Sequence, residues 1–283
     1  VAQRIPMILQ QPDENIAWLA PYAYGIVALG FLLFLFRVFE NFYAEHFGRP
    51  LVRQYFSYRK LARNQLRILE TEFPFYRKLN RKHRRQFQHR VASFIKDKEF
   101  IPREDLELTD RMKVLIAAVG CMLSFGRKNY TYSLIHFILI YPEEFFSNIN
   151  QTYHKGELNP GGRALVLSWK DFEAGLEDGH DNINLGIHEF MHAMQLEAKR
   201  GGDTDSARFQ VQFQKILKRL THQEVKDRLD ETRYFREYAF TNEYEFMAVL
   251  SEYFMESPGT FKANFPELYD HTRMLLNFKF LGY

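Results

Sequence analysis

At 283 residues, with 46% hydrophobic and 16% aromatic content, the chain can bury one sizeable core, which excludes a disordered protein. A formal net charge of +3 gives no global case for nucleic acid. Cys121 is the single cysteine, so an intramolecular disulfide and a thiolate metal cluster are both excluded.

The chain opens on Val1, and residues 1–15 read as a leader carrying Asp13 and Glu14. Ile16 to Phe36 is then free of charge, and as a helix it spans about 31 Å, close to the roughly 30 Å of a bilayer's hydrocarbon core. Trp18, Tyr22 and Tyr24 stand near one end, as an interfacial belt would. A transmembrane helix is therefore expected over residues 16–39. A cleaved signal peptide fits less well, because the run is long and no small-x-small site follows directly. Only Arg4 precedes the span, whereas Arg37, Arg49, Arg53, Arg59, Lys60, Arg63 and Arg67 follow it. The positive-inside rule then places the C-terminal part in the cytoplasm.

Residues 40–64 read as a basic, aromatic juxtamembrane connector able to lie on an anionic leaflet, and residues 65–283 as the functional domain. From Arg37 to Arg90 there are fourteen Lys or Arg against four Glu and no Asp. Leu79 to Val91 reads as a helix with a basic face. A solvated face near a membrane explains it better than nucleic-acid binding, since no DNA-binding fold surrounds it. Thr109 begins a long apolar helix through Met122, in which Cys121 is expected as a buried, inert thiol. Leu134–Pro142 reads as a buried strand, Asn159–Gly162 as a turn, and Arg163–Trp169 as a second strand leading by a short loop into the next helix.

That helix carries His188-Glu189-Phe190-Met191-His192, an HExxH pattern. Histidines four apart share one helix face and can reach one metal ion, with Glu189 beside the metal as a general base. Asp181 or Asn182 is the expected N-cap, Ile183, Ile187, Phe190, Met191 and Met194 the apolar face, and Gly201-Gly202 the stop. A catalytic zinc needs a third protein ligand. A metzincin would place Gly at 195 and His at 198, but Gln195 and Ala198 stand there. A glutamate on the later helix Glu243–Phe254 is the alternative, with Thr241 as its cap. Glu245 and Glu252, two turns apart, share a face, which suits Glu245 on the metal and Glu252 on a ligand histidine's second nitrogen. Glu243 competes for the ligand role, but the thermolysin-type Asn-Glu-x-x-Ser-Asp run is not completed after it.

Several of these runs resemble the Mlc titration factor A family of gluzincin peptidases, over residues 66–270. They are Leu106–Asp110, Ile138–Phe145, Val166–Trp169, Gly179–Asn182, His188–His192 and Glu245–Phe254. The resemblance places the third ligand on Glu245 and implicates Tyr238 as a side chain facing the metal, where a phenol can stabilise an oxyanion. It implies an α+β, mainly helical, zincin-like domain with a small β-sheet, and short peptide substrates with aminopeptidase character. The expected protein is a single-pass zinc peptidase of a bacterial inner membrane, with its catalytic domain in the cytoplasm. His188, His192 and Glu245 hold Zn²⁺, Glu189 moves the proton, and Leu165, Val166, Leu167 and Ser168 form an edge strand that takes up substrate. The rival expectation is a metal-stabilised protein that docks a transcription factor or other regulatory partner at the membrane. No nucleic-acid partner is expected.

Overall fold

A computed structural model describes residues 18–47, 58–147, 151–280 and 282, so the leader, Ile16, Ala17 and connector residues 48–57 lie outside the described residues. The chain divides into two units, Val1–Gln54 and Tyr55–Tyr283.

Among the described residues of the first unit, helix α1 runs from Ala20 to Phe47. It starts later than the expected span and continues through the first residues assigned to the connector, because nothing between Phe36 and Phe47 breaks a helix. Its Ala20–Phe39 stretch has mean hydropathy 1.9, none of it is buried, and it is long and apolar enough to cross a membrane. Trp18 and Tyr22 meet edge to face at 6.2 Å, at the end expected to hold an aromatic belt.

The second unit is mainly helical around a small mixed sheet, as expected. Three helices come first: α2 (Arg63–Glu72), α3 (Pro74–Lys78) and α4 (Arg81–Asp97). Asn80 caps α4 by accepting from the His83 amide, and Phe87, Val91 and Phe94 form its buried side. Arg90 belongs to that buried side too, and donates to the Ser124 and Arg127 carbonyls. Helix α5 (Asp110–Leu123) is capped by Thr109, as expected, and is apolar almost all round because it is enclosed almost all round. Cys121 is fully buried there, and burial pushes its thiol up to about 12.

The sheet has the order β1–β2–β6–β5, formed by Glu99–Pro102, Phe137–Tyr141, Ala164–Ser168 and Gly156–Asn159. Strands β1, β2 and β6 are parallel, and β5 closes antiparallel on β6. Strands β3 (Phe145–Ser147) and β4 (Thr152–His154) make a separate antiparallel pair. The turn before β6 holds Gly162 on the Asn159 side chain and Arg163 in the left-handed region. After β6 the chain does not pass by a short loop into the HExxH helix. Ser168 caps an intervening helix, α6 (Trp169–Glu177), by accepting from Asp171 N.

The remaining helices are α7 (Leu185–Arg200), α8 (Thr204–Leu220), α9 (Gln223–Thr232), α10 (Glu243–Glu256), α11 (Pro258–Asn264) and α12 (Pro266–Leu275). A 3-10 turn, Glu237–Phe240, precedes α10. Helices α5 and α10 each pack on α7, and Val119, Phe190, Met191, Met247, Val249 and Leu250 of these helices are all fully buried in the one core. At Gly120 an added Cβ would meet the Phe190 ring at 3.0 Å, so glycine sets how closely α5 approaches α7.

Candidate metal centre

Helix α7 is aimed by its first residues. Asn184, not Asp181 or Asn182, is the N-cap: its side chain accepts from the Ile187 amide at 3.0 Å. The same side chain donates to the Gly175 carbonyl at 2.6 Å and to Glu256 Oε1 at 2.9 Å. These tertiary bonds select Asn184 over its polar neighbours. Asp181 is left to form a local turn with the Ile183 amide. Ile183 therefore precedes the helix and is 57% exposed rather than part of the apolar face. Ile187, Phe190, Met191 and Met194 do form that face and are buried. His188 and His192 project from the other side of the helix.

Helix α10 supplies the carboxylates. Its cap is Asn242, which accepts from the Tyr244 and Glu245 amides, while the expected cap Thr241 ends the preceding 3-10 turn. The Asn242 carboxamide oxygen accepts from two orphan amides at once, at 2.9 and 3.0 Å, while the Thr241 hydroxyl donates back to the Tyr238 carbonyl. Glu245 Oε2 lies 3.0 Å from His188 Nε2 and Oε1 lies 3.4 Å from His192 Nε2; the two Nε2 atoms are 3.1 Å apart. Glu243 is exposed and is not in this cluster.

Ligand atoms of His188, His192 and Glu245 all lie within 4.8 Å of one another, the arrangement that can hold a divalent ion. Bonds of about 2.0–2.1 Å to one tetrahedral ion separate ligand atoms by about 3.4 Å, close to the spacings seen here. Glu245 Oε2 is buried yet makes no hydrogen bond, an orphan acceptor that a cation between the three side chains would satisfy.

Glu252 sits two turns beyond Glu245, fully buried, with Oε1 2.8 Å from His188 Nδ1. A carboxylate only accepts, so the proton of a neutral His188 stands on Nδ1 and the Nε2 lone pair points at the metal position. Glu252 also accepts from the Asn184 amide at 2.9 Å and from both Arg236 guanidinium nitrogens at 3.0 and 2.7 Å. Arg236 in turn donates to the Asn182 carbonyl. Burial works to lower His188, but the Glu245 and Glu252 carboxylates outweigh it and hold the imidazole up at about 10. Burial likewise opposes ionisation of Glu245, yet its two histidines hold it well below the usual carboxylate range. Burial pushes Glu189 upward, partly offset by the same histidines.

Glu189 is 6% exposed and leans on the backbone of β5, where a Cβ added to Gly156 would lie 2.5 Å from its Oε1. Tyr238, on the 3-10 turn, has its ring centroid 5.9 Å from that of His188. Burial, reinforced by the charge of Glu245, raises its phenol. Two cavities of about 520 and 460 Å³ open on either side of this group. His154, Gly156, His188, Glu189 and Tyr238 line both, so the metal position lies in the middle of one cleft.

The expected substrate strand is displaced. Leu165, Val166, Leu167 and Ser168 are buried on β6, which is hydrogen-bonded to β2 on one side and β5 on the other. A strand with both edges paired cannot accept another. The edge strand beside the site is β5, whose Gly156, Glu157 and Leu158 line the cleft. Sequence reasoning also missed Arg236, His154 and Gly156. Among the described residues, His154 Nε2 is buried with no hydrogen-bond partner. Only Gly156 carried a usable signal, as a glycine inside a polar strand marks close backbone approach.

The sequence profile of the glucose-regulated metallo-peptidase M90 family matches residues 50–276. An uncharacterized protein of Synechocystis sp. is 29% identical over 224 residues, 73% of this chain and 80% of its own length. Mlc titration factor A of Yersinia pestis and that of Yersinia pseudotuberculosis are each 26% identical over 220 residues, covering 70% of this chain and 78% of theirs. The matched stretch contains the whole of the His188, His192 and Glu245 cluster, and the chain belongs to the glucose-regulated metallo-peptidase M90 family.

Proposed function

We propose that this chain is a membrane-anchored, zinc-dependent peptidase of the gluzincin type. The observation that carries the reading is the convergence of two imidazole Nε2 atoms and a carboxylate with an orphan oxygen, beside a second buried carboxylate. His188, His192 and Glu245 would hold Zn²⁺, which supplies Lewis acidity to a water and to the scissile carbonyl. Two imidazoles and one carboxylate suit zinc better than calcium or magnesium, which favour all-oxygen sites.

The protein's own groups do the rest. A peptide entering the cleft pairs with the free edge of β5 and lies extended across both cavities. The Glu189 carboxylate, buried beside the two histidines, accepts a proton from the attacking water and returns it to the leaving amine nitrogen. The Tyr238 phenol, raised and therefore protonated, donates to the developing oxyanion. Glu252 and Arg236 hold the His188 ring and its tautomer while the charge in the cleft changes. Helix α1 fixes this unit to a bilayer, and the cations that follow Phe36 favour a cytoplasmic placement.

Glu189→Gln tests the assignment. It is expected to keep metal stoichiometry and to abolish hydrolysis of a peptide mixture, and the wild-type products separate N-terminal from internal cleavage. The name of the Yersinia relatives favours a second reading, in which the chain titrates a regulatory protein such as a transcription factor. That reading gains if wild type cleaves nothing and Glu189→Gln binds the partner undiminished.

A further inference from the structure

Helix α4 presents a cationic outward face that the peptidase reading does not use. Arg81, Lys82, Arg85 and Lys96 are exposed on the side opposite Phe87, Val91 and Phe94. No acidic residue occurs from Arg81 to Lys96, and the next one, Asp97, is paired with Lys98. Arg81, Lys82 and Arg85 cluster at the start of this face and Lys96 stands about 16 Å further on, with His89 between them buried beneath Tyr58 and Tyr130. On the preceding elements Arg59, Lys60, Arg63, Arg67, Arg77 and Lys78 are exposed as well.

The chain arriving from the apolar helix joins the second unit on this same helix. The Arg59 amide donates to His89 Nδ1 at 2.9 Å, Tyr58 meets the His89 ring edge to face at 5.5 Å, and the Arg85 guanidinium lies 4.9 Å over the Tyr58 ring. Only ten residues of sequence separate Phe47, the end of α1, from Tyr58. The exposed cations of α4, with Arg59 and Lys60 beside them in the chain that follows the apolar helix, suit an anionic surface. We infer that the outward face of α4 docks on an anionic lipid headgroup surface, holding the second unit against the bilayer that α1 enters. The inference rests on the anchoring of α1 proposed above.

The docking is electrostatic, so it follows lipid charge and salt. Each cation near an anionic surface contributes about a fivefold factor in the docked-to-free ratio. The test uses the full chain in nanodiscs of phosphatidylcholine, with or without phosphatidylglycerol, and reads lysine acylation by mass spectrometry. Lys82 and Lys96 are expected to react several-fold more slowly on the anionic discs, with Lys226 as the exposed reference on α9. Protection should vanish in about 0.5 M salt, where the screening length falls below 5 Å. Arg81→Glu leaves the Arg85–Tyr58 contact in place, changes two charge units, and should cut the docked ratio about 25-fold. Equal acylation on both disc types, with the chain incorporated, overturns docking and leaves anchoring intact. A chain that does not enter the discs at all refutes anchoring, and docking with it. Protection by a short DNA duplex on neutral discs, without protection by phosphatidylglycerol, assigns the face to nucleic acid and also overturns the inference.

Discussion

Gly156→Ala asks whether the backbone of β5 positions Glu189. The new Cβ would sit 2.5 Å from Glu189 Oε1 and 2.7 Å from its Cδ and Cγ. Ordinary contact begins at 3.4 Å, so the carboxylate must retreat by about 0.9 Å at the oxygen and about 0.7 Å at the carbons. Gly156 keeps an ordinary negative φ, so alanine strains no backbone there, and Glu189 borders an open cleft into which it can move. Fold and metal content should therefore survive, while a displacement near 1 Å in the base costs about 100-fold in kcat. The assay is steady-state hydrolysis of a peptide identified from the wild-type products, alongside metal analysis and a thermal melt. A variant with wild-type melting, full metal and kcat within about threefold would refute the idea that β5 sets the base.

Glu252→Gln keeps the shape of the clamp on His188 but removes its charge, so chelator competition should show metal affinity lower by 10–100-fold, at about the scale of such outer partners. Asn184→Ala removes the α7 cap and its bonds to Gly175 and Glu256, and denaturant unfolding should show a loss of about 1–2 kcal/mol or more. Burial holds the Glu256 carboxyl up at about 7, against 4.5 ordinarily, helped by the charges of Asp181 and Glu252. Between those values the folded chain keeps a proton that the unfolded chain has released, so this group's contribution to stability falls as pH rises through the window and levels off above it. Glu256→Gln should match wild type near pH 4 and exceed it by about 1–3 kcal/mol near pH 8, read from unfolding midpoints.

The metal centre was legible because it is built on helices. A spacing of four residues puts His188 and His192 on one face of α7 and a spacing of seven puts Glu245 and Glu252 on one face of α10, while the choice of Glu245 as third ligand is what the family resemblance implies. The sheet was harder. Ala164–Ser168 lacks polar alternation, the mark of a strand enclosed on both faces, and such a run argues against an edge. The true edge, Gly156–Asn159, is short and half polar and looks like loop. Arg236 gives no local signal, since its partner Glu252 is reached only through the fold. Where several Asn, Asp or Thr stand in a row the cap is not legible from the sequence: tertiary bonds to Gly175 and Glu256 choose Asn184, and two local amide bonds choose Asn242.

Glu245 and Glu252 ride on one rigid helix, and both engage histidine or amide groups of α7. Sliding α10 along α7 by even one residue would break both attachments together. The two helices are thus expected to open as a single cooperative unit, with amide hydrogen exchange slow and matched along their buried faces. Metal would slow both helices to the same degree, by its binding free energy. Helix α9, which buries no residue, should exchange quickly in either state.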